Sequence, residues 1–320
     1  MKREKLREIL SKVQRGESAY MEVDQKDIKY VRRFIPSERL IVLGGGHISQ
    51  PLCHIAVMLG FEVTVFDDRP DFANEKRFPD VAAVKCDEFR QAIRKLQINS
   101  RDYVCVITRG HQWDGECLRE ILSGTHPFYL GMIASKRRIK GLYDLLESEG
   151  FDRGILEGIY SPIGLSIGAV TPTEIAVSIC AELVQKRRED TARGTVETPS
   201  AKTVGTTETK TTAFLEQTNV DIDMVNFLLE EDRAKAIMLV LETRGSTPAP
   251  SGSIMAIDPI SRSFGTIGGG CSEADIMGLA RRIARNGGSQ IVTVDMTNEV
   301  AAQEGMACGG TMEVLIEAVR

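Results

Sequence analysis

Two cysteines carry the sharpest chemical signal in this sequence. Cys271 follows the run Gly265-Thr266-Ile267-Gly268-Gly269-Gly270 and opens a helical stretch. A glycine-rich turn at a helix N-terminus points backbone N–H groups at an anion and lowers the pKa of a thiol placed there. Cys308 also lies beside glycines, in Met306-Ala307-Cys308-Gly309-Gly310. A buried, inert side chain is the ordinary fate of a cysteine, and spacing alone leaves both readings open. Toward the other end, Gly44-Gly45-Gly46-His47-Ile48-Ser49 follows the apolar run Leu40-Ile41-Val42-Leu43, and Asp67 ends the next β-branched run. Strand, glycine turn, helix start and a following acid make up the dinucleotide-binding fingerprint. The glycines turn tightly and approach a pyrophosphate, the helix start favours its charge, and the acid meets a ribose. Ser49 stands where Gly or Ala is usual, a departure expected to loosen helix–strand packing. A fold that has lost its nucleotide, or that holds another phosphate compound, is the competing reading.

Further candidates follow other strands. His111 belongs to Thr108-Arg109-Gly110-His111-Gln112-Trp113-Asp114. In a sheet of order 3-2-1-4-5, the loops bearing His47 and His111 face each other where the strand order reverses. Two imidazoles with Asp114 suit a metal site or an acid–base pair, and plain hydrogen bonding to backbone or ligand phosphate is the alternative. Lys136 and Arg137, at the start of a helix after the fifth strand, either hold an anion or form a solvated helix end. The loop Ser161 to Gly168 is expected to line the same cavity.

The elements that position these residues alternate. Strand signals at 40–43, 61–66, 81–84, 103–107 and 128–133 are separated by helical segments, which predicts a doubly wound Rossmann-like parallel sheet. Thr171-Pro172-Thr173-Glu174 is a capping box that starts a last helix. Residues 1–188 are expected to form the Rossmann-like domain, with 1–36 as a helical extension. A Thr-rich stretch at 189–219, poor in large apolar residues, reads as a linker. Residues 220–320 read as a smaller α+β domain with the cysteine motifs. Composition narrows the function classes. A net charge of −5 and only 6% aromatic residues argue against a nucleic-acid surface. No apolar run is long enough for a membrane span. Seven cysteines, an odd number without CxxC spacing, argue against a disulfide framework and for a cytoplasmic protein. Five of them read as buried filler.

Taken together the motifs resemble the XdhC/CoxI family of xanthine dehydrogenase accessory proteins. The resemblance rests on E-T-R-G-S-T-P at 242–248, G-T-I-G-G-G-C-S-E-A at 265–274 and G-M-A-C-G-G-T-M-E-V at 305–314. In the first half it rests on Gly44 to His47, Asp67 to Arg69, R-G-H-Q-W-D at 109–114, G-M-I-A-S-K-R at 131–137 and S-P-I-G-L-S-I-G at 161–168. In the family's familiar arrangement the cysteine-bearing domain comes first, so this chain looks permuted. The resemblance implies a maturation factor for a xanthine dehydrogenase-type molybdenum hydroxylase. Such a factor binds the molybdenum cofactor, protects it, supports its sulfuration with a cysteine desulfurase and delivers it; a homodimer is expected. Molybdopterin, in a mononucleotide or dinucleotide form, would place its phosphate at Gly44, Gly45, Gly46 and His47, with Asp67, Arg109, Gly110, Asp114, Lys136 and Arg137 around it. Gly268, Gly269 and Gly270 would serve the second domain's site, with Cys271 and Cys308 as contacts to molybdenum. Two other readings compete: an NAD(P)-dependent oxidoreductase with His111 as its acid–base, and a structural component of a hydroxylase complex.

Overall fold

The computed structural model describes residues 1–15, 17–25, 27–193, 211–215, 222–260, 262–268, 271–296 and 309–320; the side chains of His111, Lys136, 190–193, Thr211, 222–223 and 271–275 lie outside the description. The described chain divides into two compact units. One is Ser37–Ser200, and the other combines Met1–Pro36 with Ala201–Arg320. The chain opens with α1 (Arg3–Gln14), β1 (Ala19–Gln25) and β2 (Ile28–Phe34), which belong to the second of these units.

The Ser37–Ser200 unit alternates strand and helix: β3 (Arg39–Leu43), α2 (Ser49–Met58), β4 (Glu62–Asp67), β5 (Ala83–Cys86), α3 (Phe89–Leu96), β6 (Tyr103–Val106), α4 (His111–Leu122), β7 (Tyr129–Met132), α5 (Lys136–Ser148), α6 (Arg153–Glu157) and α7 (Pro172–Arg193). Its five parallel strands run in the order β5-β4-β3-β6-β7, the Rossmann order expected from the sequence. Both sheet faces are covered, which is why the central strands β3 and β6 read as unbroken apolar runs. Leu40 and Val42 pack toward Leu52 and Ala56 of α2 and Ile179 and Leu183 of α7. Ile41 and Leu43 pack on the other side, toward α3, α4 and α5. The capping box at α7 forms as expected: the Glu174 carboxylate accepts the Thr171 N–H at 2.9 Å, and the Glu174 N–H reaches the Thr171 hydroxyl at 3.3 Å.

The other unit continues with β8 (Thr211–Phe214), α8 (Ile222–Leu229), β9 (Lys235–Arg244), β10 (Ile254–Ile257), β11 (Ser263–Gly265), α9 (Cys271–Asn286), β12 (Ser289–Asp295) and β13 (Thr311–Val319). Five strands form a sheet of order β11-β10-β9-β13-β12, antiparallel throughout. One face packs Ala236, Met238 and Val240 against Ile276, Ala280 and Ile283 of α9. On the opposite face Ile237, Leu239 and Leu241 meet Leu6 and Ile9 of α1, Tyr30 of β2 and Phe227 of α8.

Three expectations change. Residues 1–36 do not extend the Rossmann-like unit: α1 and the β1–β2 hairpin complete the core of the cysteine-bearing unit instead. Arg3 N–H donates to the Arg320 carbonyl at 2.6 Å and Arg320 N–H to that of Met1 at 2.9 Å, so first and last residues of this unit are neighbours. The 189–219 stretch is not all linker, because α7 runs on to Arg193 and Thr211–Phe214 pairs in parallel with β2. Its threonines suit a strand, and the strand's partner lies far away in sequence, where no local pattern points to it. Of the five cysteines expected to be buried, Cys53, Cys105, Cys117 and Cys180 are, and Cys86 is exposed.

Leu6 tests this assembly. Its side chain has 0% exposure. Leu6→Ala should cost the cysteine-bearing unit about 2–5 kcal/mol, the range for a buried Leu truncated to Ala. A urea titration followed by far-ultraviolet dichroism should show a lowered first transition; an unchanged profile would mean that α1 is not part of this core.

Candidate functional site

In the Rossmann-like unit the glycine loop leaves β3 at its C-terminal end. Gly44 has φ +116°, and a Cβ there would stand 2.1 Å from the Ile107 carbonyl oxygen at the exit of β6. The loops after β3 and β6 therefore touch through backbone, and only glycine permits it. Gly45 is as tightly seated, since a Cβ there would stand 2.3 Å from the Phe72 carbonyl oxygen, whereas Gly46 has open space around it. Ser49 does not loosen the packing: it is fully buried, and its hydroxyl donates to the Gly44 carbonyl at 2.5 Å. Beyond this brace, the amide hydrogens of Gly46, His47 and Ile48 have no acceptor among the described residues. Three free donors at the start of a helix form an anion-binding surface.

Asp67 is placed differently from a ribose acid. It is 1% exposed. Its Oδ2 accepts the Gly45 N–H at 2.8 Å and Arg69 Nη2 at 3.0 Å, while Oδ1 accepts the Arg69 N–H at 3.0 Å and Nε at 2.8 Å. Burial raises the carboxyl's pKa, but the Arg69 guanidinium and these amides more than offset it, so the group is held below the usual carboxylate range. Its lone pairs are used in ordering the loop. A depressed pKa in the folded state stabilises the protein above the unfolded value of about 4, and that stabilisation fades as pH falls through the folded value. Asp67→Asn should therefore be less stable than wild type at pH 7 and lose less on acidification below about pH 4. Urea midpoints measured from pH 7 to pH 3 check this; parallel curves would contradict it.

The next residues face outward. Arg69 lies over the Phe72 ring at 3.7 Å. Arg109, from the loop after β6, grips both oxygens of Asp68, with Nη2–Oδ2 at 2.8 Å and Nη1–Oδ1 as the second contact. The same guanidinium sits over the Trp113 ring at 4.7 Å. Asp114 is buried and braces its own loop, accepting the Thr108 hydroxyl at 2.5 Å, and that hydroxyl also lies 3.1 Å from the Gly110 carbonyl. His47 is exposed, and the side chains of His111 and Lys136 lie outside the described residues. Among the described residues, no three His, Cys, Asp or Glu side chains are grouped to hold a metal ion. Arg137 is exposed and lines a groove of about 630 Å³ with Gln112, Glu116, Arg119 and Arg138. The 161–168 loop is tied to β7 and α7: Ile163 N–H donates to the Met132 carbonyl at 3.0 Å and Gly164 N–H to the Glu182 carboxylate at 3.0 Å.

The cysteine-bearing unit has its own convergence of loops. A Cβ on Gly268 would stand 2.5 Å from Pro248 Cγ, and one on Gly310 would stand 2.5 Å from the Ser246 carbonyl and 2.6 Å from that of Arg244. The 242–248, 265–268 and 309–310 segments thus meet at backbone distance. This brings together the loops that lead to Cys271 and Cys308. The Cys271 backbone starts α9; its side chain, Gly269, Gly270 and Cys308 lie outside the described residues. Sequence reasoning missed Tyr30 here and met Glu242 only as the first residue of the 242–248 motif. Glu313 pairs with Glu242, but Val314 pairs with Val240, so Leu241 is the extra residue of a β-bulge. The bulge turns Glu242 toward β2, where the Tyr30 hydroxyl donates to it at 2.6 Å. Burial, then this carboxylate, push the Tyr30 hydroxyl's pKa up.

Comparisons with known proteins fit these two units. A family profile described as the XdhC Rossmann domain matches residues 40–183, and one described as the XdhC and CoxI family matches residues 228–295, together more than half of the chain. A probable xanthine dehydrogenase component of Bacillus subtilis (strain 168) is 32% identical over 165 residues, covering 52% of this chain and 48% of that protein. The uncharacterized protein YqeB of Escherichia coli (strain K12) is 30% identical over 149 residues, 46% of this chain and 27% of that one. A crystal structure of a xanthine dehydrogenase from Bacillus halodurans is similar at 32% identity and a TM-score of 0.48, covering 53% of this chain and 50% of that chain. The matches span half or less of these relatives' lengths. No described helix is long and apolar enough to cross a membrane.

Proposed function

The chain belongs to the XdhC and CoxI family, and from that premise we propose that it is an accessory protein of a xanthine dehydrogenase-type hydroxylase, holding the molybdenum cofactor before the enzyme receives it. The observation that carries this reading is the glycine loop. Gly44 and Gly45 leave no room for a side chain, and Gly46, His47 and Ile48 present free amide hydrogens at the start of α2. Such a cradle fits the phosphate of a molybdopterin, and Arg69, Arg109 and Arg137 supply cations on the same unit. When bound, the cofactor supplies a molybdenum centre and a phosphate-bearing tail.

In the cysteine-bearing unit the Cys271 backbone starts α9, and soft thiolates suit molybdenum and sulfur chemistry. Cys271 and Cys308 are the residues assigned to metal contact and to sulfuration. A cysteine desulfurase as sulfur donor, and a homodimer, belong to the same proposal. The NAD(P)-dependent alternative uses the same glycine loop, but the acid at its motif position is not free for a ribose, since the Asp67 oxygens are filled from within the chain. The test is activation. A xanthine dehydrogenase-type hydroxylase produced together with this chain should show several times the activity and cyanide-releasable sulfur of the enzyme produced alone. Equal values in both preparations would overturn the proposal.

A further inference from the structure

Asp67 and Asp68 are consecutive acids with opposite surroundings. Asp67 is 1% exposed and accepts four hydrogen bonds, so no ligand reaches it. Asp68, which also lies 3.9 Å from Arg69 Nε, is 19% exposed, and Arg109 is 35% exposed, so the pair is partly open to a competing ligand. Asp68 follows β4 and Arg109 follows β6, and β3 with its glycine loop lies between those two strands. The pair therefore straddles the strand that carries the anion-binding amides. Its geometry is a two-oxygen grip on a guanidinium, which a phosphate reproduces with more charge. Exposed ion pairs are weakly held and easily exchanged. Trp113 lies under the Arg109 guanidinium, so the cation keeps its place whichever anion it grips.

We propose that Asp68 is an internal stand-in for a ligand phosphate: Arg109 exchanges Asp68 for the phosphate of an incoming ligand, so the crevice selects its ligand by phosphate rather than by ribose hydroxyls. This rests on the phosphate-cradle reading of the same crevice and adds its ligand class and a specificity residue. The two acids lead to opposite expectations. If Asp68 competes with the ligand, removing its charge tightens phosphate binding. If Asp68 is a ribose acceptor, the same change weakens nucleotide binding.

The test is calorimetric titration of the full chain with AMP, adenosine and NAD⁺. Wild type should bind AMP at least about tenfold more tightly than adenosine, through charge-assisted contacts to the phosphate. Asp68→Asn should tighten AMP about two- to fivefold, the effect of removing an exposed competing ion pair, and leave adenosine unchanged. Arg109→Gln should weaken AMP about ten- to a hundredfold. Melting curves within a few degrees of wild type are expected for both variants, because the pair is exposed. Weaker AMP or NAD⁺ binding by Asp68→Asn, unchanged AMP binding by Arg109→Gln, or no saturable AMP binding by wild type would each overturn the exchange. Any of these results alongside pterin and molybdenum co-purifying with the chain removes the exchange and leaves the accessory reading standing; absence of both removes the accessory reading by itself.

Discussion

Gly44→Ala should destabilise the Rossmann-like unit by about 3 kcal/mol and abolish phosphate binding, the sum of left-handed backbone strain and an overpacked contact. Two independent features act at this position. The backbone is at φ +116°, where an L side chain is strained. The added Cβ would also meet Ile107 O at 2.1 Å, Ile107 C at 2.6 Å and Thr108 Cα at 3.1 Å. These are backbone atoms, so no rotamer change relieves the clash. The loop that must move is the one that carries Arg109, so stability and ligand binding fail together. Gly46→Ala is the control, because nothing lies within 4 Å of its Cβ. That variant should stay within about 0.5 kcal/mol of wild type, as surface substitutions do. Equal urea midpoints for the two variants would mean that the loops do not meet as described.

Replacing Cys271 and Cys308 together by Ala should reduce hydroxylase activation at least about tenfold, to the level of enzyme produced without the chain, since both thiolates are removed from the sulfur chemistry. The other cysteines make this a selective experiment. Burial raises the thiols of Cys53, Cys105 and Cys117 well out of the reactive range, and raises Cys180 to about 12. Cys86 is exposed on β5 in the other unit, and Cys86→Ala should leave activation unchanged. Iodoacetamide labelling at pH 7 adds a readout independent of activation. The double variant should lose the fast-reacting thiols, whereas unchanged labelling and unchanged activation together would remove both cysteines from the proposed chemistry.

The Rossmann order was legible because the central strands of a sheet covered on both faces are unbroken apolar runs, as Leu40 to Leu43 shows. The α7 start was legible because a capping box is local chemistry among Thr171, Pro172 and Glu174. What stayed hidden depends on distant pairing. Strand β8 is polar and short, and its place beside β2 comes from residues a whole Rossmann-like unit away in sequence. The assignment of α1 to the cysteine-bearing unit is likewise invisible in the Leu6 and Ile9 spacing, which shows an apolar face but not its partner. At the site, Gly44 and Asp67 were readable as a motif. That Asp67 is turned inward by Gly45 and Arg69, leaving Asp68 outside, depends on side-chain geometry that spacing does not encode. Glu242 required the bulge at Leu241, which no periodicity announces.

What co-purifies with the full chain bears most directly on its role. From cells that make the molybdenum cofactor, the protein should carry an oxidisable pterin, seen by fluorescence after denaturation and oxidation, together with molybdenum by mass spectrometry in a matching amount. A nicotinamide dinucleotide in its place, with neither pterin nor molybdenum, would contradict the accessory role and point to an oxidoreductase.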